Sequence, residues 1–378
     1  MDSAKRQNTW LSRQAYQRLA FVALLLIVTL TATGCDALRR KSTAHPTVTP
    51  TAAPRPATPP PSAPQNVVTP APTGTANEID QLLFGESGIY GVVLMEADGT
   101  PIYTRNCTTP FVAASLYKLV LLANIYQMRE AGELGFDQVV ALQPEYFPGD
   151  AEPPDSYFDL SMAGGADTID DLVFATGAYS SNVAARALLD LTTHESLNAT
   201  ARDLGLVDTH LFVDPATLPD WPPTPDANTR AADTEEAMRF AAQSAREGPI
   251  NVTTPCDVTR YFQLLYHGQI VNQQASAELL DILSQQAVDD RFPVLLPAGA
   301  AMAHKTGNLD HVVHDAGIIY HGDHATILTA MSEGMDDDER STEIIQRLAL
   351  IAYDSPESPP LLSGAITPTG AASFNDGG

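Results

Sequence analysis

Apolar positions change their spacing along this chain, and each change marks an element. A run from Leu119 through Leu121-Leu122-Ala123 to Tyr126 is apolar on nearly every side, which predicts a helix buried all round, with Ser115 in its first turn. Ahead of it, Ile89 to Leu94 and Pro101 to Thr104 flank Ala97-Asp98-Gly99, a hairpin signal between two antiparallel strands. A short helix over Glu78 to Phe84 precedes them. From Ala131 to about Gln285 helical spacing dominates, at Thr168 to Thr176, Asn182 to Leu191, Leu197 to Leu204, Asp257 to Tyr266 and Ser276 to Leu283. Strand patterns return at Ala301 to Lys305, Ala316 to Tyr320 and Ala325 to Met331, with a turn at His321-Gly322-Asp323-His324, and Glu339 to Tyr353 closes as a helix. Strands at both ends around a helical middle predict an α/β (α+β) fold: an antiparallel sheet flanked by helices, interrupted by an inserted all-α region.

The ends of the chain read differently. Lys5, Arg6, Arg13 and Arg18 precede an apolar run from Leu19 to Leu30, short for a membrane span but suited to a signal segment over residues 1–34. It stops at Ala32-Thr33-Gly34-Cys35, which resembles a bacterial lipobox. Cys35 would then be lipidated and the protein held at the membrane, facing outward; an uncleaved anchor is the alternative. Residues 35–78, rich in Pro, Thr and Ala, read as a disordered spacer, and residues 355–378 as a disordered tail. Residues 79–354 remain for one globular domain, expected to act as a monomer.

Charge narrows the partners. The chain carries 46 Asp plus Glu against 21 Lys plus Arg, a net charge of -25, which argues against nucleic acid and against adhesion to anionic lipid. Besides Cys35 only Cys107 and Cys256 occur; outside the cytoplasm they would form one disulfide, with two separate buried thiols as the alternative.

Candidate chemistry begins at Ser115. Residues three apart share a helix face, so Lys118 can reach the Ser115 hydroxyl, and a desolvated lysine can accept its proton. Downstream lie Ser180-Ser181-Asn182 before an apolar helix and Lys305-Thr306-Gly307-Asn308 ending a strand. Singly, the first is also an ordinary helix N-cap and the second an ordinary strand end with a turn glycine. The ordered set of serine-x-x-lysine, serine-x-asparagine and lysine-threonine-glycine resembles the class A β-lactamase family and its active-site-serine relatives, the penicillin-binding D,D-peptidases, over Glu78 to Tyr353. Thr253-Thr254-Pro255 and Leu188-Leu189-Asp190-Leu191-Thr192-Thr193 support the match.

The resemblance implies the matching fold, no cofactor, and a small β-lactam or D-alanyl-peptide-like substrate. It makes Ser115 the acylated nucleophile, Lys118 its base or proton relay and Ser180 the proton carrier to the leaving nitrogen. Asn182 would bind the substrate's side-chain amide, and Lys305, Thr306 and Gly307 would line the carboxylate end. The N–H groups of Ser115 and Asn308 would form the oxyanion hole. The family also uses a glutamate to activate the deacylating water, and no clean copy is present. Asp214, in Asp214-Pro215, stands near the expected place; Glu195 falls too early, while Glu235, Glu236 and Glu247 lie in a long following stretch. The expected function is hydrolysis of β-lactam amides through acyl-Ser115. A penicillin-binding enzyme with slow deacylation is the alternative, and a non-catalytic cell-wall binding or sensing module the second.

His304, His311, His314, His321 and His324, with Asp310, Asp315 and Asp323 among them, invite a metal site. On a strand, however, His311 and His314 would point to opposite faces, and a solvated hairpin accounts for His321 and His324. No metal is expected.

Overall fold

A computed structural model describes residues 74–149, 153–218, 249–322 and 324–355. The signal segment, Cys35, the spacer as far as residue 73, Asp323, the tail beyond residue 355, and Glu235, Glu236 and Glu247 lie outside them. No helix among the described residues is long and apolar enough to cross a membrane.

In chain order the elements begin with helix α1 (Thr75–Leu83), strands β1 (Ile89–Glu96), β2 (Pro101–Arg105) and β3 (Phe111–Val112), and helix α2 (Tyr117–Glu130). Next come β4 (Val139–Ala141), β5 (Ala166–Thr168), α3 (Ile169–Ala178), α4 (Asn182–Leu189) and α5 (His194–Asp203). Then follow β6 (His210–Val213), β7 (Ile250–Thr253), α6 (Pro255–Tyr266) and α7 (Gln273–Leu283). The last are β8 (Ala301–Leu309), β9 (Val312–His321), β10 (His324–Glu333) and α8 (Asp338–Tyr353).

The main sheet has the order β2-β1-β10-β9-β8, all antiparallel, so the first and last strands of the chain pair directly: Ile89 opposes Glu333 and Leu94 opposes Leu328. Its side chains alternate between two cores, as a strand period of two requires. Tyr90, Val92, Leu94, Ile319 and Leu328 pack with Ile79 and Leu83 of α1 and Ile344 and Leu348 of α8. Their sequence neighbours Ile318 and Ile327 join the opposite core, built on α2 and the other helices.

Helix starts follow their capping side chains. Thr168, Ser181, Thr193, Thr254, Asn272 and Asp337 each accept a first-turn backbone N–H, setting the first residues of α3 to α8. The helix α1 starts at Thr75, ahead of the expected boundary at residue 79. Two small sheets, β4-β5 and β3-β7-β6, enter the region expected to be wholly helical. Cys107 and Cys256 are joined in a disulfide with Cα atoms 4.9 Å apart, tying the segment before β3 to the first turn of α6.

Candidate active site

Ser115 sits in a 3-10 turn, Ala114–Leu116, that leads into α2 rather than in the α-helix itself. The turn opens at Ala114, whose φ of 44° is left-handed, and the α-helix begins two residues after the serine, once the 3-10 turn has ended. From Lys118 to Tyr126 every side chain of α2 is buried. The turn is held on the strand side by Ala113, whose N–H donates to Asn251 O at 2.7 Å.

The three motifs meet at Ser180. Lys118 Nζ donates to Ser180 O at 2.6 Å and to Asn182 Oδ1 at 2.7 Å, and lies 3.4 Å from Ser180 Oγ. From β8, Lys305 Nζ donates to the same Ser180 Oγ at 2.7 Å and to Thr306 O at 2.8 Å. Ser180 has φ 55°, and this left-handed step turns its side chain toward the lysines while Ser181 caps α4. The N-cap reading and the functional reading thus fall on different residues of one motif. Among the described residues Lys118 makes no hydrogen bond to Ser115. What brings Ser115 to the group is the close passage of β8. A Cβ on Gly307 would stand 3.3 Å from Ala114 Cβ and 3.4 Å from Ala113 O, so the strand lies close against the serine turn and a larger residue at 307 would press on it.

Burial sets the proton affinities. It pushes the Lys118 ammonium down to about 7, with Asp155 opposing the fall and Arg186 adding to it. Lys305, fully buried, is driven well below its ordinary value by desolvation and then by the charge of Lys118. The charge of Lys118 thus disfavours a proton on Lys305 at the hydroxyl the two lysines share.

Several residues that the sequence did not single out complete the arrangement. Asp155 accepts hydrogen bonds from Ser181 Oγ and from the N–H groups of Asn182 and Val183. Arg291, 3% exposed, donates from Nη2 to Asn308 Oδ1 at 2.5 Å, placing a guanidinium behind the end of β8. No local pattern distinguishes either residue. Asp214 caps a 3-10 turn, Pro215–Thr217, its Oδ1 accepting the Ala216 N–H at 2.9 Å, and its side chain is exposed. Two residues before it, the Phe212 ring meets that of Tyr117 edge-on at 5.8 Å. Glu195 lies exposed in the first turn of α5.

The histidines do other work. His304 Nδ1 meets Asp315 Oδ1 at 2.9 Å, and His314 Nε2 donates to Val112 O at 2.9 Å. His311 meets Met335 O, and His321 stacks on Tyr353. Among the described residues no group of three His, Cys, Asp or Glu is placed to hold a metal ion.

The model of the Beta-lactamase enzyme family matches residues 74–355. The chain belongs to this family. Solved structures of similar fold include a β-lactamase from Sphaerobacter thermophilus, 23% identical with a TM-score of 0.59, covering 74% of this chain and 95% of that one. A β-lactamase from Chitinophaga pinensis is 19% identical with a TM-score of 0.60, over 75% of this chain and 99% of that one. PBP-A is 20% identical with a TM-score of 0.57, over 74% and 95%. At these identities the likeness is one of fold. No curated protein matches the chain by sequence. Within the β-lactamase family fold, the mixed architecture with an antiparallel sheet between helical layers is the expected one.

Proposed function

We propose that this family member is an active-site-serine acyl hydrolase that opens β-lactam amides through an ester on Ser115. The observation that carries the reading is the convergence of Lys118 and Lys305 on the Ser180 hydroxyl beside the Ser115 turn. Neutral Lys118 takes the Ser115 proton as Oγ bonds to the lactam carbonyl carbon. The N–H groups of Ser115 and Asn308 receive the developing oxyanion. When the C–N bond breaks, Ser180 gives its proton to the nitrogen and regains one from the adjacent ammonium, so the proton lost by Ser115 ends on the amine. Lys305, with Arg291 behind Asn308, supplies positive charge for a substrate carboxylate in an otherwise acidic protein, and the Thr306 hydroxyl supplies a hydrogen-bond donor. Asn182 Oδ1 holds Lys118, and its amide nitrogen is left for the substrate's side-chain carbonyl.

Release of the acyl group needs water and a base, and we assign the base to Asp214. A second reading is favoured by one observation: the Asp214 carboxylate is exposed and already engaged as a cap. On that reading the protein acylates readily and deacylates slowly, as a penicillin-binding D,D-peptidase-like enzyme acting on D-alanyl-peptide-like donors. In both readings it is a monomeric lipoprotein outside the cytoplasm, held by Cys35; the basic residues, apolar run and Ala32-Thr33-Gly34-Cys35 support this.

The test is intact mass after adding penicillin G, with Ser115→Ala alongside. An adduct on the wild type alone is expected; decay within minutes with the antibiotic consumed means β-lactamase turnover, and persistence for hours means the second reading. No adduct and no antibiotic loss would sink both.

A further inference from the structure

We infer that Asp155 is the positioning residue of this site, holding Ser180 and Asn182 in place and setting the charge that Lys118 feels; the inference rests on the acyl-hydrolase reading above. Asp155 lies on the segment between β4 and β5, remote in sequence from all three motifs. Its two oxygens collect an unusual number of donors. Oδ1 accepts the N–H groups of Tyr157 and Phe158, both at 3.0 Å, and Ser181 Oγ at 2.9 Å. Oδ2 accepts the N–H groups of Asn182 at 2.8 Å and Val183 at 3.0 Å, and lies 3.0 Å from the same Ser181 hydroxyl. The adjacent Ser156 Oγ donates to Tyr179 O at 2.7 Å, fastening the same segment to the residue just before Ser180.

This geometry does two things. First, the start of a helix leaves N–H groups without partners, and here a carboxylate from another segment satisfies two of them while Ser181 Oγ receives a third from Ala184. Ser180, in its left-handed conformation between Tyr179 and Ser181, is thereby anchored on both sides. Second, the carboxylate stays ionised. Burial opposes its charge, but the donors from Val183, Phe158, Tyr157 and Ser181 outweigh burial and hold it below the usual carboxylate range. A fixed negative charge faces Lys118 from this segment, while Arg186 of α4 and Lys305 of β8 face it with positive charge. Asp155 is the one anion among these neighbours, so its removal leaves Lys118 surrounded by cations.

The experiment compares the full chain with Asp155→Asn and Asp155→Ala. It measures penicillin G acylation across pH and amide hydrogen exchange over residues 180–184. For Asp155→Asn we expect a fall of about 100-fold in kcat/KM on the pH plateau, the scale of loss when a catalytic group is misplaced by about 1 Å. We also expect the acid limb to move to lower pH, because a lysine that has lost its counter-charge gives up its proton sooner. Exchange at Asn182 and Val183 should quicken. A plateau rate and limb equal to wild type with protection retained overturns the inference. A uniform fall with an unmoved limb overturns the charge role, which a merely structural residue would not have. If Asp155→Ala fails to fold, the asparagine variant decides alone. Should the wild type itself resist acylation, the acyl-hydrolase reading fails, and the exchange rates still decide whether Asp155 holds the start of α4.

Discussion

Lys305 and Ser180 are joined by a 2.7 Å hydrogen bond from the lysine ammonium to the serine hydroxyl, across 125 residues of sequence. The bond links the last strand-borne motif to the middle one, and in the proposed mechanism it sets Lys305 beside the proton path as well as at the anion-binding end. A charge-assisted hydrogen bond is worth roughly 1.5–3 kcal/mol, so Lys305→Gln should lower kcat/KM for carboxylate-bearing β-lactams by about 10- to 100-fold. A substrate analogue esterified at that carboxylate should lose much less. Equal losses for acid and ester would remove the anion-binding role.

Lys118 gives the pH dependence of acylation. In the proposed mechanism its neutral form is the base, and burial brings its pKa down to about 7. The acylation rate should therefore rise as pH climbs through about 7 and level off above it. Lys118→Arg keeps a cation that does not deprotonate and should lose acylation by about 1,000-fold or more. Stopped-flow acylation with a chromogenic cephalosporin from pH 5 to 9 checks this; a rate independent of pH across that range would exclude Lys118 as the base.

Much of this arrangement was legible from residue patterns, and the parts that were not share a cause. The buried helix, the β1-β2 hairpin and the three C-terminal strands show because their periods persist over many residues. The serine, lysine and asparagine motifs show because each is contiguous. Asp155 and Arg291 are single residues whose roles exist only once distant segments meet. The strand β3 is two residues long, too short for any period, and is held in part by Glu333 and His314 rather than by its own propensity. The α-helix starts at Tyr117 rather than at Ser115 because residues 114–116 wind as a 3-10 turn, opened by a left-handed Ala114 that the residue type does not advertise.

The buried pair around β3 predicts an unusual stability profile. Glu333 Oε2 accepts the Val112 N–H at 2.9 Å, and burial pushes its carboxyl up to about 8. His314, neutral with Nε2–H on Val112 O, is pushed down to about 4 by burial. Between 4.5 and 8 the unfolded glutamate has released a proton that the folded one keeps, so its contribution to stability falls as pH rises, levelling off above 8. Between 4 and 6.5 the unfolded histidine holds a proton that the folded one lacks, so that contribution rises with pH. The two slopes oppose from 4.5 to 6.5; from 6.5 to 8 the glutamate's loss alone remains of this pair, set above about 7 against the rise that the lowered Lys118 contributes. Glu333→Gln should abolish that loss and uncover the histidine rise at lower pH. Urea unfolding at half-unit pH steps measures both; an unchanged slope above 6.5 in the variant would refute the assignment.

The disulfide closes a loop of 149 residues. Constraining the unfolded chain over such a length stabilises by about 2–5 kcal/mol. Paired Cys107→Ser and Cys256→Ser changes should lower Tm by roughly 5–15 °C in a domain of this size. The bridge ties the segment before β3 to the first turn of α6, outside the three motifs, so acylation at 25 °C should remain. Loss of acylation with Tm intact would mean that the bridge serves the site rather than the fold.

Asp214 allows its two roles to be separated by one isosteric change. Asparagine is as good an N-cap as aspartate, so Asp214→Asn should keep the Pro215–Thr217 turn and a stability within about 0.5 kcal/mol of wild type. It cannot accept a proton from water. If Asp214 activates the deacylating water, penicillin G should acylate the variant at the wild-type rate, and the ester on Ser115 should then persist about 100-fold longer. Alanine at the same position removes cap and base together, so a longer-lived ester in both variants, with destabilisation only in the alanine one, isolates the chemical role. An asparagine variant that turns over like wild type would leave Asp214 as a cap alone and move the search for the base to another carboxylate.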